Sequence, residues 1–472
     1  MTDTSVIAAR RVLAHRADFA CAGAAVVLVG TAIAVPRILG EQWSRRLYAG
    51  AAPLFGQWLP HAGWGTIPAI AIAALVIAYG PALARQLPWR RLLALTWLTA
   101  VCWAFALAMV DGWRRGFTDR LTTRDEYLHE VGGVTDIAAM LRGFSARILD
   151  FQPDSWTTHV SGHPPGALLS FVLLDRLGLG GGAWAAWLCT IVGCGAAVAV
   201  PVTLRALGAE ERARAATPFL ALAPAAIWLA VSGDALFAGV TAWAVALLAV
   251  ALRMEKGWLA AGLGSGALFG FGIYLSYGLV LMVIPAAAVL ALGLLRRMDT
   301  PDIRPALAVA VGALLVVGLF TAAGFWWFDG YHLVVQRYYQ GIASERPYSY
   351  WVWADLAAAA CALGPAAAAA LHRVVREVAR PFAAGLPALR RGWRPWVAGL
   401  DPAAVLAAAG VAAILAADLS GLSKAETERI WLPFDVWVLA GTALLPGRGA
   451  RFWLTVQAAT ALLLNHIVLT NW

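Results

Sequence analysis

The sequence predicts an all-α polytopic membrane protein, and three observations predict it. The 472-residue chain is 61% hydrophobic and only 13% charged, about half the charged share of a soluble domain. Apolar runs of about 18 residues, each long enough to cross a bilayer, recur from end to end. Arginines collect between these runs on alternate sides, as basic loops do in membrane proteins.

The apolar runs place membrane segments at 19–36, 66–84, 92–110, 183–203, 216–232, 235–252, 258–275, 279–295, 305–325, 351–371, 402–417, 434–446 and 453–470. That is about 13 helices in a single domain over 1–472. A shorter apolar piece sits at 164–174. The basic N-terminus (MTDTSVIAARRVLAHR) precedes the first run, and no small-residue cleavage site follows it. That run therefore reads as a retained helix rather than a signal peptide.

Orientation follows from the basic loops. Arg10, Arg11 and Arg16 place the N-terminus in the cytoplasm. Arg85, Arg90, Arg91, Arg205, Arg212, Arg214, Arg253, Lys256, Arg296 and Arg297 mark further inner loops, and 372–400 is the most basic of all, with Arg373, Arg376, Arg380, Arg390, Arg391 and Arg394. Residues 111–163, 326–350 and 418–433 then lie outside. Seven apolar segments separate the first two of these outer loops, but an even number must cross. The piece at 164–174 is the shortest and ends in Asp175, Arg176 and a glycine run. It is expected to dip in without crossing or to lie in the interface, and such segments border protein or a wet cavity.

These features exclude several function classes. The net charge of +9 sits in inner loops, so it does not indicate nucleic-acid binding. Cys21, Cys102, Cys189, Cys194 and Cys361 fall inside apolar runs, which indicates neither a disulfide framework nor a zinc site. No DxD-type pair stands in the outer loops, so no metal or other cofactor is expected. The abundance of Ala, Arg and Trp suits a bacterium with a GC-rich genome, and hence a plasma-membrane location. A lipid or solute transporter or flippase is the alternative class. It calls for paired broken helices and mid-membrane charge, whereas the chain's membrane helices read as nearly free of charge.

The chemistry-capable residues concentrate in 111–163, which holds eight of the 27 acidic residues. Within it, RDEY places Asp125 and Glu126 side by side before Tyr127. SGHPPGALL follows at 161–169, with His163 ahead of Pro164 and Pro165. The prolines fix how the chain starts into the membrane, and an imidazole there can meet an anionic head group. SGDALFAG puts Asp234 at the outer end of a helix, and ETERIWLPF puts Glu428 and Arg429 at the edge of another. The outer segment 326–353 is rich in aromatics and carries Arg337.

A DE pair plus an aromatic in the first large outer loop, followed by a basic residue and two prolines, resembles the GT-C superfamily of lipid-dependent membrane glycosyltransferases. It is most similar to the branch with protein O-mannosyltransferases and lipid A aminoarabinose transferases. The resemblance implies that Asp125 is the catalytic carboxylate, with Glu126 beside it. It implies donor-phosphate contacts from His163, which stands where the family has Lys, from Arg429 and from Tyr277. Asp234, Glu428, Tyr127 and Arg337 would support them. The implied reaction inverts the anomeric centre. It moves mannose, or a pentose such as arabinose, from a polyprenyl phosphate to a hydroxyl of a glycan, lipid, protein or metabolite on the extracytoplasmic face. Membrane lipids are the remaining expected partner.

Overall fold

A computed structural model describes residues 3–296, 302–383 and 399–471. Among them, Arg297, Arg390, Arg391 and Arg394 of the expected inner loops do not fall; they lie outside the described residues. The regular structure of the described chain is helix, beside one pair of antiparallel strands, Gly56–Trp58 and Val468–Thr470.

Nine helices among the described residues are long and apolar enough to span a bilayer. They are Ala14–Leu39, Thr66–Gln86, Trp89–Ala108, Gly182–Ala206, Gly233–Arg253, Trp258–Leu275, Tyr277–Leu294, Arg304–Ala322 and Pro402–Leu419. Small residues bring some of them together backbone to backbone. A Cβ on Gly266 would stand 2.0 Å from the Val309 carbonyl, and one on Gly312 would stand 2.4 Å from that of Leu263. Such contacts supply the close packing that holds helices together in lipid.

Four expected spans take other forms. The segment at 351–371 is a bent pair, Tyr348–Leu363 and Pro365–Arg380, turned by 107°. Gly364 adopts φ 79 and Pro365 brings no N–H, so neither continues the helix. The segment at 216–232 is helix Glu210–Ala221, a break at Pro224, and the short helix Ala226–Leu229. Leu432–Leu444 is a shorter apolar helix. Helix Ala450–Ile467 carries Arg451, Gln457, Asn465 and His466, and its expected end at 468–470 is strand instead. The membrane helices are also less free of charge than expected. Asp355 and Asp435 lie buried within them, 1% and 0% exposed.

The segment after His163 begins and ends on one face. Helix Pro165–Arg176 has 12 residues, about 18 Å of rise against a hydrocarbon core of about 30 Å. Arg176 at its far end donates to the carbonyls of Val134 (2.6 Å) and Thr135 (3.2 Å) in the loop the chain has just left. The next helix starts at Gly182, where a Cβ would stand 1.8 Å from the Thr118 carbonyl. Both ends of the segment are therefore on one face.

That face also gathers the loops 111–163, 326–347 and 420–431, together with residues 40–65. His61 Nε2 lies 2.7 Å from Asp111 Oδ1, and the Phe55 N–H donates to Glu428 at 2.8 Å. The opposite face has its own ties. Asp18 of the first span, wholly buried, holds Arg373 (2.7 Å) and His372 (2.6 Å). Arg212 holds Asp401 at 2.8 Å.

Single cysteines in a cysteine-free background test this layout. Leu177→Cys and Asp154→Cys should react with an impermeant maleimide from the same side, and Arg448→Cys from the other. Labelling of position 177 from the side of position 448 would mean that the helix crosses.

Candidate active site

The adjacent carboxylates point in opposite directions. Asp125 is exposed, and its Oδ1 accepts from the Thr158 hydroxyl at 3.1 Å. Glu126 is 2% exposed, and burial pushes its carboxyl up to about 8, against the pull of Arg429. It is therefore neutral near pH 7, while Asp125 faces solvent.

Asp125 forms part of the wall of a cavity of about 840 Å³. Arg114, Arg115 and Arg120 line it, as do Thr158, His159, Arg337 and Glu426. The helix Trp327–Gln340 covers it: Arg337 donates to Asp150 at 2.5 Å and to the Ser161 hydroxyl at 3.2 Å, and Gln340 accepts from the Asp150 N–H at 2.8 Å.

Behind this wall stands a buried polar knot. Arg429, 5% exposed, forms a very short ion pair with Asp234. Its Nη2 donates to Glu426 at 2.6 Å and to His159 Nε2 at 3.1 Å. His159 Nδ1 lies 2.8 Å from the Asp125 carbonyl, which can only accept, so Nδ1 carries the hydrogen and Nε2 is the acceptor. Burial, reinforced by the Arg429 charge, pushes the His159 imidazole down to about 3, so this neutral tautomer persists. Glu426 is also within 3.4 Å of Arg346. Burial opposes its ionisation, but Arg429 and Arg346 more than offset this and hold the carboxyl below its ordinary range.

The turn that presents Glu426 is strained and firmly held. Ala425 and Glu426 both have left-handed backbones, with φ 70 and 64, at about 1–3 kcal/mol each. Asp355 accepts from the Ala425 N–H at 3.0 Å. Arg346 donates to the Lys424 carbonyl at 2.7 Å, and Lys424 Nζ donates to the Ala343 carbonyl at 2.5 Å.

The sequence-predicted residues divide into three groups. Asp125 and Arg337 line the cavity. Glu126, Tyr127, His163, Asp234 and Arg429 gather behind it. The Tyr127 hydroxyl lies 2.9 Å from His163 Nδ1, which also donates to the His159 carbonyl at 2.8 Å. One expectation needs correction. Glu428 does not partner Arg429: it is wholly buried, accepts from Phe55, and burial raises its carboxyl to about 7. One residue ahead of Arg429 on a helical turn points away from it, whereas Glu426, three residues ahead, shares its side. Tyr277, expected at the phosphate, does not line the cavity. Its hydroxyl lies among Gly330, Trp327 and Tyr331, away from the cavity wall.

Sequence reasoning missed His159, Glu426 and the arginines of 114–120. His159 had one signal, its four-residue spacing from His163. Glu426 had another, its three-residue spacing from Arg429.

No family model and no curated protein matches the chain. Among solved structures it is similar to ArnT from Cupriavidus metallidurans in the apo state, with 17% identity over 73% of this chain and 59% of that one, at a TM-score of 0.40. It is similar to the Archaeoglobus fulgidus oligosaccharyltransferase in complex with Zn and sulfate, with 15% identity over 79% of this chain and 51% of that one, at a TM-score of 0.40. The same enzyme tethered to an acceptor peptide gives 14% identity over 82% and 54%, at 0.40. The chain thus spans between about half and three-fifths of the length of these solved chains.

Removing Arg429 should be costly. Arg429→Ala leaves Asp234 and Glu426 without their shared cation, a loss of about 3–5 kcal/mol for a buried pair. Glu428→Gln keeps an oxygen for the Phe55 N–H and should shift stability by under about 1 kcal/mol. Thermal unfolding in detergent measures both, and an Arg429→Ala protein as stable as the wild type would contradict the knot.

Proposed function

We propose that the chain is an inverting glycosyltransferase of the GT-C kind, taking its sugar from a polyprenyl phosphate. The observation that carries this reading is the placement of Asp125: its carboxylate stands exposed on the cavity wall, and its backbone carbonyl is held by His159. A base must reach its substrate yet be fixed in position.

The acceptor hydroxyl attacks the anomeric carbon and gives its proton to Asp125. The bond from that carbon to the phosphate oxygen breaks, and its electron pair leaves with the phosphate. Attack from the side opposite the leaving group inverts the centre. Glu126, neutral and buried, adds no second negative charge to repel the phosphate. The cavity has room for a sugar and an acceptor group together. In this reading the site face is extracytoplasmic, where nucleotide sugars are absent and a lipid must carry the donor across. The membrane is the bacterial plasma membrane, the sugar is mannose or a pentose such as arabinose, and no metal takes part.

A transport reading draws on one observation. Asp435 is wholly buried in a membrane helix, and neither carboxyl oxygen is hydrogen-bonded among the described residues. That reading predicts loss of function on Asp435→Asn and full function on Asp125→Asn.

The transferase reading predicts the reverse. Asp125→Asn keeps the acceptor for Thr158, so the protein should fold and bind donor. Its transfer rate should fall by about 10²–10⁴-fold, the usual contribution of a general base. Turnover like the wild type would remove Asp125 from its role.

A further inference from the structure

The cavity is lined by charges of both signs, but they do not pair off evenly. Arg114 Nε holds Asp119 at 3.1 Å, and Arg337 holds Asp150 at 2.5 Å. Glu426 is taken by Arg429 and Arg346. The two remaining arginines, Arg115 and Arg120, share one carboxylate. Arg120 Nη2 lies 2.7 Å from Asp111 Oδ2, and Arg115 Nε lies 4.0 Å from the same oxygen. The other Asp111 oxygen faces His61 Nε2 at 2.7 Å.

Both guanidiniums also donate to one backbone carbonyl, that of Thr470, at 3.1 Å from Arg115 and 2.9 Å from Arg120. A carbonyl orients them but carries no full charge. Two guanidiniums therefore stand against one carboxylate. Burial pushes the Arg120 guanidinium down to about 10, with Arg115 pressing the same way and Asp111 opposing. Arg115 is the accessible member, with 47% of its side chain exposed against 6% for Arg120. Elsewhere in the same cavity, Asp125 forms no ion pair among the described residues.

We propose that Arg115 and Arg120, set in place by Asp111 and the Thr470 carbonyl, form the subsite for the donor's phosphate. This rests on the transferase reading above. A sugar-phosphate-lipid diester carries one negative charge, which the single surplus positive charge matches. As the bond to the sugar breaks, the phosphate gains a second negative charge beside two guanidiniums, and the acceptor's proton goes to Asp125. Placed this way, cations stabilise the leaving group where its charge develops. His163 and Arg429, the sequence-based choices, are engaged behind the wall.

The test uses the full chain in detergent, with farnesyl phosphate as the probe and farnesol and inorganic phosphate as controls. The wild type should bind farnesyl phosphate and neither control comparably. Arg115→Gln, with an unfolding midpoint like the wild type, should bind it at least about tenfold more weakly. Arg115→Lys should recover part of the loss. Arg115→Gln binding at wild-type strength would overturn the subsite but leave the transferase reading standing. Inorganic phosphate binding as tightly as the lipid would overturn the lipid-linked assignment. A wild type that binds farnesol as well as farnesyl phosphate would overturn both.

Discussion

The ion pair between Arg429 and Asp234 sits where three parts of the chain meet. Asp234 opens a membrane helix, Glu426 and Arg429 belong to a late loop, and His159 belongs to the loop that carries Asp125. Each of these groups would be expensive to bury alone, because desolvating an isolated charge costs several kcal/mol. Together they are mutually satisfied. The contact fixes how the late loop sits against the early one, and through His159 it reaches the Asp125 backbone. A second layer repeats the logic: Arg346 and Lys424 cap carbonyls of neighbouring loops and hold the strained turn at Ala425 and Glu426. The cavity is the space these tied loops leave between them.

This arrangement separates tasks between neighbouring residues. Asp125 and Glu126 share a sequence position but not an environment. One meets solvent in the cavity, while the other, buried, keeps its proton near neutral pH. The same division holds among the cations. Arg429 is spent inside the knot, whereas Arg115 stands at the wall with charge to spare. Rigid backing and a reactive surface are what a site needs if its groups are to stay in place while a substrate changes charge.

How much of this could be read from the sequence depends on the range of each contact. The helical class, the one-sided gathering of acids and the shortness of the segment after His163 were legible, because length and hydropathy are local or countable. Short motifs singled out Asp125 and Asp234, which stand on the cavity wall and in the buried knot. Glu428 was misjudged because a four-residue helix, Thr427–Ile430, decides which of two nearby glutamates meets Arg429. His159 pairs with a residue 270 positions away, and Arg120 with a carbonyl 350 positions away. No periodicity announces such contacts. The break at Gly364 hid inside an apolar run, because hydropathy does not register a left-handed residue.

The central claim is that chemistry, and not passage, happens at this face. The most direct measurement uses purified chain in sealed vesicles without any gradient, supplied with polyprenyl phosphate carrying radiolabelled mannose or arabinose and with envelope extract as acceptor. The account predicts that label leaves the lipid and that free polyprenyl phosphate accumulates in step with it. Intact labelled lipid appearing on the far side of the membrane, with no polyprenyl phosphate released, would contradict it.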